Sequence, residues 1–194
     1  MFYKNGLTGN DFDNIEEDVF HLYEDLGLKE YPANPFKVAN LLGIELIKYS
    51  GLKQEARKVI LSKYEEGCSV MKNKREYVIY YNDALPECTV RFTVWYEIAH
   101  IQSGHLYENM GGDPLRQQSE CNHFAVFAQA AMPFVFQLQP DCPEVLMKVF
   151  GLGWTCANYV YDNYLYIKRF PLITRKIVSS KILEQFDFKK DLYV

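Results

Sequence analysis

The stretch 91–105, RFTVWYEIAHIQSGH, constrains this chain more than any other. Pro86 and Glu87 open a helix ahead of it, Phe92, Trp95, Ile98 and Ala99 recur at helical spacing, and Gly104 stops it. Residues four apart share a helix face, so positions 96 and 100 converge on one point with Glu97 beside them. That is the spacing of H-E-x-x-H, in which two imidazoles hold a zinc ion and the glutamate takes a proton from the attacking water. Tyr96 stands where the first histidine of such a helix belongs.

A chain of 194 residues supports one well-buried domain, and its abundance of Tyr and Phe gives that domain a core. The net charge of −4 and the lack of any long Lys/Arg block exclude a large phosphate-binding footprint, so direct nucleic-acid binding is not expected. No apolar run reaches membrane-spanning length and the first residues lack a leader pattern, which predicts a soluble, cytoplasmic protein. Five scattered cysteines, without a C-x-x-C pair, fit reduced core thiols.

Residues 13–28 carry Ile15, Val19, Leu22 and Leu26 at helical steps, and Asn34-Pro35-Phe36 caps a short second helix that Gly43 stops. Residues 44–49 read as a strand, 52–63 as a helix, and 68–72 with 76–81 as a hairpin. Residues 76–81 are expected at a sheet edge, where an extended peptide can add a strand. A loop is expected at 106–114, followed by a helix at 115–132 that Pro133 ends. Helices at 144–150 and 155–169 flank Gly151-Leu152-Gly153, and the tyrosines of the second read as core. A helix-turn-helix reading of that pair fails because the second helix is nearly free of Lys and Arg until Lys168.

Several blocks together resemble the ImmA/IrrE-type zinc metallopeptidases, over roughly residues 31–168. These are Pro35-Phe36-Lys37-Val38-Ala39 before Leu42-Gly43-Ile44, then Ile79-Tyr80-Tyr81-Asn82, then Arg91-Phe92-Thr93. Glu97-Ile98-Ala99-His100 with Gly104-His105 resembles the family's metal helix, and Glu120 to Ala125 with Met132-Pro133 resembles its downstream segment. The resemblance implies an α+β, zincin-like metallopeptidase domain at 31–170, a small sheet packed with several helices. A helix within 1–30 would pack on it, and a docked extension would occupy 171–194. It also implies a zinc cofactor, with His100 and Glu120 as metal ligands, Glu97 as general base, and the first ligand position on Tyr96. The implied activity is cleavage of a helix-turn-helix repressor in mobile-element or stress regulation.

Other chemistries compete at these positions. A phenol releases its proton near pH ~10, so Tyr96 would bind zinc only if the metal drove its ionisation. Alternatively its ring fills the ligand site and its hydroxyl reaches Glu97 or Glu120, leaving a pseudo-peptidase that binds a protein partner. His123, three residues after Glu120, is a compensating-ligand candidate on the same helix face. His105 departs from the metzincin interval and reads as a helix-end histidine, while His21 lies in an acidic, solvated helix. Finally, Glu97-x-x-His100 and Glu120-x-x-His123 are both E-x-x-H pairs, the motif of di-metal carboxylate bundles, for which Glu24 and Glu144 would complete the set. The strands argue against such a bundle.

Overall fold

The computed structural model describes residues 6–73, 75–107, 112–170, 182–183 and 185–188. In chain order its first half holds α1 (Gly9–Asp25), β1 (Glu30–Tyr31), α2 (Pro35–Leu41), β2 (Glu45–Lys48), a 3-10 turn (Tyr49–Gly51) and α3 (Gln54–Leu61). Then come β3 (Gly67–Asn73), β4 (Glu76–Tyr81), α4 (Glu87–Gln102), α5 (Pro114–Ala130), α6 (Met132–Leu138), α7 (Pro143–Phe150), α8 (Trp154–Arg169) and β5 (Asp187–Phe188). The class is α+β, with helices predominating and a small mixed sheet. No helix among the described residues is long and apolar enough to cross a membrane.

The chain divides into two compact units, Asn34–Gln117 and the combination of Met1–Ala33 with Gln118–Val194. In the first, Asn34 caps α2 by accepting from the Phe36 amide at 2.9 Å, with Pro35 in the first turn as the sequence predicts. The sheet has the order β2-β4-β3, β2 parallel and β3 antiparallel to β4. This corrects the expected edge: β4 is the central strand, because it pairs with β2 on one side and with its hairpin partner β3 on the other. A peptide could add only at β2 or β3. Helix α4 lies against β3 and β4, and its approach to β3 depends on Gly67. A Cβ there would stand 2.5 Å from Thr93 Cγ2 and 2.9 Å from the Tyr80 carbonyl oxygen.

The second unit is an aromatic core framed by α1 and α5 to α8. Tyr31 stacks on Phe134 at 4.2 Å, and Phe188 stacks on both Phe134 and Phe150. Burying tyrosine rings requires partners for their hydroxyls. Tyr23 donates to the Ala128 carbonyl at 2.7 Å, while Tyr31 donates to the Phe127 carbonyl and accepts from the Ala131 amide at 2.6 Å. Tyr31 thereby serves polar groups where α5 gives way to α6. That break corrects the expectation for Pro133, which sits in the first turn of α6 instead of ending a helix, a position where a missing N–H costs nothing. The tyrosines of α8 are also less central than expected, since Tyr164 is buried and Tyr166 exposed. The described part of 171–194 contributes β5, which pairs in parallel with β1, and the expected loop at 106–114 lies partly outside the described residues.

Candidate functional site

Within the Asn34–Gln117 unit, α4 carries Tyr96, Glu97 and His100 as the sequence predicts. The helix is buried around most of its circumference, Trp95, Ile98 and Ala99 being fully enclosed and Glu97 only 6% exposed. A carboxylate so placed needs a donor. Ser69 supplies it: its hydroxyl donates to Glu97 Oε2 at 2.6 Å. Gly67 and Ser69 are two apart on β3 and so share a face, which is why the close approach at Gly67 also delivers Ser69 to the helix. Burial raises the Glu97 pKa, and the Ser69 hydroxyl and amide oppose that rise without cancelling it. Behind it, burial and the charge of Glu97 push the Cys68 thiol up to about 11, so this cysteine stays protonated.

The end of α4 turns on Gly104, whose φ is +71°. The Gly104 amide donates to the Ile101 carbonyl at 3.1 Å and the His105 amide to the His100 carbonyl at 3.0 Å. This pair of bonds is a Schellman motif, which brings together the side chains at its third-from-last helical position and the second residue past the cap. Here those side chains are two imidazoles. His100 Nδ1 and His105 Nδ1 lie 3.2 Å apart, with the ring of Tyr96 edge-on to His100 at 4.9 Å between centroids. Burial, then the neighbouring His105, lowers the His100 pKa to about 4, which keeps its ring neutral at ordinary pH.

In the other unit, α5 carries Glu120, half-buried, and Cys121, fully buried. His123 faces α1: its Nε2 lies 3.1 Å from Glu16 Oε1, and its ring meets Phe12 edge-on at 4.6 Å. Its Nδ1 is buried without a hydrogen-bond partner. Glu24 lies near the surface, bonded to His21 and Gln185. Within the Asn34–Gln117 unit, His100 and His105 bring together nitrogen donors of the kind that could take part in holding a metal ion.

Sequence reasoning missed Ser69 and underrated His105. Nothing local marks Ser69, because its role arises from strand-to-helix packing. His105 did leave a signal, since H-x-x-x-G-H at a helix end places both histidines at the contact positions of a glycine cap. No family model matches the chain, and no curated protein matches it.

Proposed function

We propose that the chain is a zinc-dependent endopeptidase of the ImmA/IrrE type, acting on a protein substrate of the helix-turn-helix repressor class. The observation that carries this reading is Glu97, a buried carboxylate of raised pKa held by Ser69 three residues from a neutral His100. A general base should be ionised at working pH yet retain proton affinity, and burial opposed by hydrogen bonds from the Ser69 hydroxyl and amide tunes a carboxylate in that direction. His100, held neutral, and its neighbour present imidazole nitrogens, the donor type that zinc takes, so the residues present fit the ion. The reading takes Glu120 as a further ligand on the resemblance. Zinc, when bound, supplies Lewis-acid polarisation of the scissile carbonyl and acidifies water. Glu97 accepts a proton from the attacking water and returns it to the leaving amine, while Ser69 restrains its rotamer. The substrate strand would add at β3, an edge that presents exposed Val70 beside the Ser69 position.

One observation favours a second reading. Tyr96 occupies the first ligand position with its ring against His100, as in a non-catalytic descendant that binds a repressor without cutting it. Incubating the zinc-loaded chain with purified helix-turn-helix repressors separates the two. The peptidase makes a discrete cut that Glu97→Gln slows by at least about 10²-fold, the usual scale of a general base. A repressor bound but intact, with wild type and variant alike, leaves only the binding protein.

A further inference from the structure

The geometry points to His105, and not Tyr96, as the second imidazole-type position of the metal site, so that the ligand pair of this helix is His100 with His105 across the glycine cap. The inference rests on the zinc reading above and departs from the H-E-x-x-H layout, which assigns that place to position 96. Two nitrogens on one tetrahedral zinc at about 2.0–2.1 Å stand roughly 3.3 Å apart. The two Nδ1 atoms already lie 3.2 Å apart. Both side chains are half-buried, which limits their competing contacts with water.

The juxtaposition is built into the backbone. Both amide bonds of the cap and the positive φ of Gly104 fix where His105 returns, so the pair forms without reorganising a loop. Preorganisation of this kind lowers the ordering cost of binding. Tyr96 offers the ion a phenol that must first lose a proton, whereas His105 offers an imidazole nitrogen, the donor type that zinc takes. On this account Tyr96 is tolerated at the first motif position because the ligand it lacks has moved five residues past His100.

Competition titration of the metal-free full-length chain with zinc and a chelating dye tests this, with helix content followed by circular dichroism. Wild type and Tyr96→Phe should each take up one zinc with affinities within about twofold, as expected if the phenol is not a ligand. His105→Gln, which keeps a polar side chain of similar size without an imidazole, should lose more than about 100-fold, beyond the 10–100-fold that removal of an outer-shell partner costs. A smaller loss in a folded His105→Gln, or a large loss in Tyr96→Phe, overturns the assignment while leaving a zinc site in place. Tight His105-dependent binding without any Glu97-dependent cleavage upholds the assignment and overturns the peptidase reading. If wild type takes up no zinc, both fall.

Discussion

Two helices of this chain carry the same local signature, a glutamate three residues before a histidine, and the two histidines end in opposite surroundings. His100 on α4 meets another imidazole and is held neutral. His123 on α5 meets the carboxylate of Glu16 and the edge of Phe12. Neither environment follows from the E-x-x-H spacing, which fixes only which face of a helix the pair shares. The first histidine is left with lone-pair chemistry, and the second is tied into the packing of α1 against α5. The contrast explains why a motif count alone suggested a di-metal bundle while the fold, with its mixed sheet beside α4, is of another kind.

The comparison breaks most visibly at His123. Replacing it by alanine removes the half-buried pairing with the Glu16 carboxylate, only 16% exposed, and the ring contact with Phe12, and should cost about 1–3 kcal/mol. A fall in the denaturant midpoint at unchanged slope would show it. An effect no larger than that of a surface substitution would mean that the pair is dispensable.

A smaller effect is expected at Gly104. Alanine at φ +71° should cost about 1 kcal/mol, and the loosened cap should weaken zinc uptake as well. Stability lost without any change in zinc uptake would separate the cap from the metal pair.

The subtlest difference is in pH dependence. The His100 pKa in the folded metal-free protein is lowered to about 4 from 6.5, so the unfolded chain binds the proton first. Its contribution to stability is therefore complete above pH 6.5 and is lost as pH falls through about 4. Glu97 acts with the opposite sign, since a raised carboxyl pKa means that the folded state gains relative stability as the group protonates. Melting the metal-free wild type and His100→Gln across this range should give a flatter acid limb for the variant, and parallel curves would contradict the neutral burial of His100.

How much could be read from residues alone differs between these regions for a physical reason. Helix positions, the Asn34-Pro35 cap, the Gly104 stop and the hairpin are local, set by backbone preferences that a few neighbouring residues carry. The presence of Glu97 and His100 on one helix follows from the same short-range geometry. The central place of β4, the bond from Ser69 to Glu97 and the capture of His123 by Glu16 required the chain to fold. These pairings join residues far apart in sequence, and each was decided by which buried polar group needed a partner and which strand could reach it, a choice that no local pattern encodes.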